Sequence, residues 1–329
     1  MVSAAIVGAG AIGAWLADAL DRAGWRVALL ARGATLEALR RQGLQVERDG
    51  AVRRCNPHAG SAAELGPHDY VFLAVKAHAL PALAASLEPL IGAETVLVSA
   101  TNGIPWWFFE NFPGPLCNER LRSVDPTGSQ AQGFARARIV GSVVHASARV
   151  LAPAQVQLVA ADRLILGAPE GGSDRRVREI EAAFRAGGIN AVVSATIRQE
   201  IWSKLWGNMN MNSLSALTAS GTAGLLADPE IRELCLRMMQ EMQECGARLG
   251  LAGTMSAAQR IEVTRRLGDF KTSMLADLEA GRTLEVEPQL GAVVEIAERL
   301  AVAAPFCRAI LGLTRLRAAR ASRPAGGAA

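Results

Sequence analysis

Cysteine is sparse in this sequence and nowhere paired. The five cysteines (Cys55, Cys117, Cys235, Cys245 and Cys307) are scattered and include no C-x-x-C pair, which argues against a zinc ribbon and against a disulfide framework. A reduced, cytoplasmic location is the expectation. The four histidines lack metal-ligand spacing, so no metal site is expected. Aromatic residues make up 5% of the chain, with a single tyrosine, which leaves little for base stacking. Clustered positive charge is also missing: 35 Lys and Arg are spread among 31 Asp and Glu, for a net charge of +4. No nucleic-acid partner is expected from that balance, whereas a small anionic ligand suits it. No apolar run reaches the length of a membrane span, so no membrane association is expected. The apolar start, MVSAAIVGAGAIGAWLADAL, lacks a basic leading region and is broken by three glycines, so it does not read as an export signal.

What is present is an ordinary globular composition, half apolar and one fifth charged over 329 residues, enough for two separate cores. The first half alternates strand-like and helix-like runs, the pattern of a parallel sheet with crossover helices. Strands are predicted at Ala4 to Val7, Arg26 to Leu30, Tyr70 to Val75, Thr95 to Val98, Ile139 to Val144, Val156 to Val159, Leu164 to Leu166 and Asn190 to Val193. Helices are predicted at Ala11 to Ala23, through Leu36 and Leu39, at Leu80 to Leu90 and at Arg176 to Ala186. Trp106 to Arg138, with its WWFF cluster and three prolines, reads as an insertion or long functional loop. After Ile197 only helices are predicted: Gln199 to Thr218, Pro229 to Leu249, Ala257 to Leu267, Ser273 to Ala280 and Leu290 to Ala301. The expected organisation is therefore an α/β Rossmann-type domain over 1–196 and an all-α domain over 197–329, with a frayed tail from about residue 320.

The sharpest local motif is G-A-G-A-I-G (Gly8, Ala9, Gly10, Ala11, Ile12, Gly13), directly after the first strand and at the opening of a helix. Glycines at this spacing permit a tight turn, backbone approach to a pyrophosphate and close helix–strand packing, with the helix N-terminus facing the negative charge. Alone the motif is weak, but here it sits inside a complete β-α-β pattern. The second strand, VALLAR, ends without the Asp or Glu that would hold an NAD ribose. Arg32 stands there instead, where a guanidinium can pair with a 2′-phosphate, so NADP(H) is the expected cofactor. Lys76 and Asn102 follow two further strands of the same sheet, on the side where ligands of such sheets lie.

In the second half Lys204, Asn208 and Asn212 fall at i, i+4 and i+8 within WSKLWGNMNMNSLSALT. On a helix that spacing places an ammonium and two carboxamides along one stripe of an otherwise apolar element. Such groups are costly unless hydrogen-bonded or lining a site. A solvated face would account for the lysine, but less well for two asparagines, which are poor helix formers.

Taken together, GAGAIG, Val75–Lys76, Asn102–Gly103, the K-x-x-x-N-x-x-x-N helix and the block SMLADLEAGRTLEVE resemble the ketopantoate reductase (2-dehydropantoate 2-reductase) family, in order and over nearly the whole chain. The resemblance implies a Rossmann domain followed by a helical one. It implies NADPH-dependent reduction of 2-dehydropantoate to (R)-pantoate, a step towards pantothenate and coenzyme A. By the same resemblance Lys204 donates a proton to the substrate carbonyl, and Glu285 holds the substrate hydroxyl or the lysine. Asn208 and Asn212 orient the substrate, Ser273 binds its carboxylate or a nearby oxygen, and Lys76 and Asn102 lie near the nicotinamide and ribose. The chemistry is coherent: ketone reduction creates alkoxide charge that an ammonium stabilises and neutralises.

Two departures bear on the substrate. Ile104 to Gly133 looks longer than the family's usual connection. Leu290–Gly291 stands where members often have Asn-Gly. A same-fold reductase of another 2-oxo or 3-hydroxy acid is therefore a second reading, and a non-catalytic NADPH-binding sensor a third, against which the Lys204 stripe stands. The substrate is in each enzymatic case a small molecule. The oligomeric state is left open, a homodimer being one option.

Overall fold

The computed structural model describes residues 1–135, 137–172 and 174–321. Its chain divides into two compact units: 1–105 with 127–200, and 106–126 with the segment from 201 onward.

The first unit is built on one large sheet. Its strands are β1 (Ser3–Val7), β2 (Arg26–Leu30), β3 (Leu44–Arg48), β4 (Ala51–Cys55), β5 (His58–Gly60), β6 (His68–Leu73), β7 (Ile91–Ser99), β8 (Arg138–Ala152), β9 (Gln155–Gly167) and β10 (Ala191–Val193). The order is β4-β3-β9-β8-β7-β6-β1-β2-β5, with β10 paired to β9. Pairing is parallel except at the β3–β4 and β8–β9 hairpins. β1, β6 from Tyr70 onward and the second half of β7 are buried, which is why they read as continuous apolar runs rather than alternating ones.

The helices of this unit are α1 (Ala11–Arg22), α2 (Gly33–Gln42), the single turns α3 (Ala62–Leu65), α4 (Leu80–Leu83) and α5 (Ser129–Gly133), and α6 (Arg175–Ala186). Leu16 and Leu20 of α1 and Ile180 and Phe184 of α6 enter the same core as Ile6 and Phe72 of the sheet. The helix expected over Leu80 to Leu90 is only partly realised. α4 is followed by a 3₁₀ stretch, Ala84–Leu90, which contains Pro89, a residue that removes a helix hydrogen bond.

Two features of the sheet escape the strand expectations. Leu44 to Cys55 forms a hairpin whose turn residues, Asp49 and Gly50, both have positive φ (51° and 78°), as a two-residue type I′ turn requires. The runs at Val156 to Val159 and Leu164 to Leu166 are parts of the one strand β9.

The second unit contains the greater part of α7 (Ile197–Thr218), followed by α8 (Thr222–Ala227), α9 (Pro229–Leu249), α10 (Ala257–Arg266), α11 (Ser273–Glu279), α12 (Ala292–Arg299) and α13 (Pro305–Ala321). The stretch read as an insertion or long loop forms neither helix nor strand up to residue 128, and what the sequence does not announce is how it packs. Trp106 to Pro126 belongs to the helical unit's own core, and Trp107, Phe108 and Phe109 are buried. Phe108 packs edge-to-face on Phe109 at 5.0 Å and lies 6.4 Å from Trp202 of α7. Burial of each such ring contributes roughly 1.5–3 kcal/mol, so a prolines-and-turns segment is held as firmly as a helix. Its far end is pinned to α12: the Arg122 and Ser123 backbone N–H groups donate to the two Glu295 carboxylate oxygens, each at 2.8 Å. The tail read from about residue 320 lies, from 322 onward, outside the described residues; Arg320 and Ala321 are the last residues of α13. Among the described residues no helix is long and apolar enough to cross a membrane.

Candidate active site

In the first unit, the register of four neighbouring strands places Leu30, Val7, Leu73 and Ser99 in one row. The ladder ends one residue further on, where Gly8 N–H donates to the Leu30 carbonyl (3.3 Å), Ala74 N–H to Val7 (2.9 Å) and Ala100 N–H to Leu73 (3.0 Å). The four loops that leave this edge carry every cofactor-binding residue expected from the sequence. Arg32 is exposed two residues beyond β2, and Gly8 begins the loop after β1. Lys76 follows β6, half-buried at the start of a 3₁₀ turn, and Asn102 follows β7, also half-buried.

The glycine loop has the geometry of an anion cradle. Gly8 has φ 106°, and a Cβ there would strike the Val75 side chain, so both conformation and space demand glycine. A Cβ at Gly13 would overlap the Gly8 carbonyl oxygen, which is the close approach of helix to strand. Ala9, Ala11 and Ile12 fill the loop and first turn between them. Gly10, the residue preceding α1, provides no side-chain cap, and the first turn of α1 holds no acid. Nothing lies within 4 Å of a Cβ built at Gly10. The first turn of α1 thus has no side-chain cap and no acid at the positive end of its dipole. A dinucleotide pyrophosphate fits this loop, and Arg32, which among the described residues has no carboxylate partner, fits a 2′-phosphate.

In the second unit, α7 is buried on nearly every side. Ile201, Trp202, Leu205, Trp206, Met209, Met211 and Leu214 all lie in the core, and Trp206 Nε1 donates to the Met239 carbonyl of α9 at 2.9 Å. Lys204 and Asn208 are half-buried polar positions of this helix, one turn apart. Burial draws the Lys204 ammonium down from 10.5 to about 8, and the charge of Glu285 opposes the fall. Glu285 is only 3% exposed, between buried Leu284 and Val286.

Asn212 is buried, and its Nδ2 donates to Gln289 Oε1 at 2.7 Å. Gln289 sits in a π-helical turn, Glu287–Gly291, two residues beyond Glu285. Such turns place an extra residue in a helix and recur at functional sites. Ser273 stands exposed at the first position of α11, while Thr272 beside it caps the helix through Leu275 N–H (3.2 Å). Lys204 therefore lies beside Glu285 with Asn208 one helical turn along, Asn212 meets Gln289, and Ser273 stands at a helix start. Sequence reasoning missed Gln289 because nothing local marks it. The available signal was an amide four residues beyond Glu285, next to the Leu290–Gly291 departure. Among the described residues no cluster of three or more His, Cys, Asp or Glu could hold a metal ion.

A dinucleotide cradle on a parallel sheet edge and a half-buried lysine beside a carboxylate are the marks of an oxidoreductase. Comparison with known proteins agrees. The family described as "Ketopantoate reductase PanE/ApbA" matches residues 4–106, and "Ketopantoate reductase PanE/ApbA C terminal" matches residues 196–318. The 2-dehydropantoate 2-reductase of Mesorhizobium japonicum is 41% identical over 94% of this chain and 96% of its own. A Ralstonia solanacearum MolK2 structure assigned as a ketopantoate reductase superimposes with TM-score 0.92 at 42% identity, covering 97% of this chain and 98% of its own. A D-mandelate dehydrogenase bound to NADH and anilino(oxo)acetate shares the fold, with TM-score 0.82 at 20% identity over 98% of this chain and 100% of its own. The chain belongs to the ketopantoate reductase family, oxidoreductases that act on CH–OH groups.

Proposed function

We propose that this protein reduces 2-dehydropantoate to (R)-pantoate with NADPH, and that Lys204 supplies the proton. The observation that carries the reading is the half-buried Lys204 beside Glu285, with its ammonium drawn down to about 8. A proton donor works best when its pKa lies near the working pH, and an ordinary surface lysine does not meet that condition. When bound, NADPH would supply the hydride that C2 of the substrate receives, becoming NADP⁺. Lys204 hydrogen-bonds the C2 carbonyl oxygen, stabilises its growing negative charge and transfers a proton to it, so that the ketone becomes the alcohol. Glu285 keeps the lysine protonated and positioned. The Asn208 carboxamide orients the substrate, Asn212 acts through Gln289, and Ser273 is placed at a helix start where an anion is welcome. On the cofactor side Gly8 to Gly13 hold the pyrophosphate, Arg32 the 2′-phosphate, and Lys76 and Asn102 the ribose and nicotinamide end. The substrate assignment is supported by the 2-dehydropantoate 2-reductase of Mesorhizobium japonicum at 41% identity.

A second reading, reduction of a different 2-oxo acid, is favoured by one observation. Leu290–Gly291 stands where the family resemblance leads one to expect Asn-Gly, and the neighbouring Gln289 bonds Asn212 directly. Initial rates of NADPH oxidation with 2-dehydropantoate, beside a panel of other 2-oxo acids, separate the two. Highest kcat/KM for 2-dehydropantoate supports the first reading, and a hundredfold preference for another acid rejects it.

A further inference from the structure

Gly207 lies in the interior of α7, a position where glycine is among the poorest helix residues. Arg260 of α10 explains it. A Cβ at position 207 would collide with Nη2 and Cζ of the Arg260 guanidinium, so the guanidinium rests against the bare backbone of α7. It is half-buried there, and burial lowers its pKa.

Arginine carries five N–H donors in a rigid fork. Among the described residues the Arg260 fork has one acceptor, Thr264 Oγ1, at 3.0 Å from Nη1, and no carboxylate. The acid of α10, Glu262, is held by Arg265 and Arg266 instead. A desolvated guanidinium without an anion is costly, and bidentate pairing with a carboxylate is the interaction for which its geometry is made. Its location is specific as well. Gly207 follows Lys204 by three residues and precedes Asn208 by one, and i,i+3 positions are neighbours on a helix surface. The guanidinium therefore flanks the stripe that carries the proton donor.

Resting on the reductase reading above, we propose that Arg260 is a specificity-determining residue that receives the carboxylate of the 2-oxo acid substrate. Gly207 is the positioning residue that makes room for it. Ser273, exposed at the start of α11, offers a neutral hydroxyl and no comparable charge.

The test compares Arg260→Gln, Arg260→Lys and Gly207→Ala with the parent protein, each checked by its melting curve. Kinetics are measured on 2-dehydropantoate and on its neutral lactone, and oxamate, an unreducible 2-oxo acid mimic, is titrated into the NADP⁺-loaded protein by calorimetry. Arg260→Gln is expected to raise KM for the acid about 10- to 100-fold, the loss of one charged hydrogen-bonded pair. KM for the lactone should stay unchanged, and kcat should change far less than KM. Arg260→Lys should recover part of the loss, and Gly207→Ala should shift KM in the same direction by displacing the guanidinium. Equal KM shifts for acid and lactone, or none for the acid, would overturn the proposal. If the parent protein reduces no 2-oxo acid, the reductase reading fails by itself, and the oxamate titration still decides on Arg260. Binding weakened by Arg260→Gln supports the role; binding that is unchanged, or missing from the parent protein, refutes it.

Discussion

Asn212 Nδ2 donates to Gln289 Oε1 at 2.7 Å, with both side chains buried. That one bond joins the helix carrying Lys204 to the π-helical turn that follows Glu285. The turn is fixed from outside too: Arg315 Nε and Nη2 grip the two Glu287 carboxylate oxygens, each at 2.7 Å. Lys204 and the carboxylate of Glu285 are thus held on elements that are tied together by a side-chain amide pair.

Replacing Gln289 by Leu removes the acceptor and leaves a buried Asn212 donor unsatisfied. Stability should fall by about 1–3 kcal/mol, and kcat should fall with it because the Lys204–Glu285 geometry loosens. Urea unfolding and steady-state kinetics on the same preparation check both. A Gln289→Leu protein with unchanged midpoint and unchanged kcat would show that the bond does nothing for the site.

The acid–base chemistry fixes a sign for the pH dependence. Lys204 must be protonated to donate, so with its pKa near 8 kcat should be flat below that pH and fall about tenfold per unit above it. Glu285 raises the lysine's pKa. Glu285→Gln should therefore move the alkaline limb to lower pH, apart from any loss of rate. A limb that moves up, or stays put, would separate the lysine from the profile.

Arg32 should decide between the two nicotinamide cofactors. Arg32→Ala is expected to raise KM for NADPH about 10- to 100-fold, the worth of a charge-assisted hydrogen bond, and to leave KM for NADH nearly unchanged. Parallel titrations of both cofactors measure this directly.

Gly13→Ala places a methyl group on the Gly8 carbonyl oxygen. Helix α1 must then move off the sheet, and NADPH binding, followed by fluorescence quenching, should weaken at least tenfold while Gly10→Ala, which meets no atom within 4 Å, costs the folded protein little.

Parts of this molecule are legible in its sequence for clear physical reasons. β1, β2 and β6 announce themselves as short apolar runs, and the GAGAIG loop is a local device whose glycines have local causes. The Lys204, Asn208 and Asn212 pattern is likewise a matter of helical spacing. The Leu44 to Cys55 hairpin was also written locally, in Asp49–Gly50 between alternating residues, but its charged side chains mask the strand signal. The WWFF segment is different in kind. Nothing in its prolines and turns says that Trp107 and Phe108 are core residues of the second unit, because a partner such as Trp202, against Phe108, lies far along the chain. The same holds for the contacts that refine the candidate site. Gln289 on Asn212 and Arg260 over Gly207 join positions more than fifty residues apart, and only the folded chain brings them together.

The central claim, that this protein is a reductase whose proton comes from Lys204, is tested most directly by single-turnover loss of NADPH absorbance with 2-dehydropantoate, comparing the parent protein with Lys204→Ala. The account expects both proteins to bind NADPH equally and the variant to reduce substrate about 10²- to 10⁴-fold more slowly, the usual contribution of a positioned general acid. Turnover by Lys204→Ala at the parent rate, with NADPH bound by both, would contradict it.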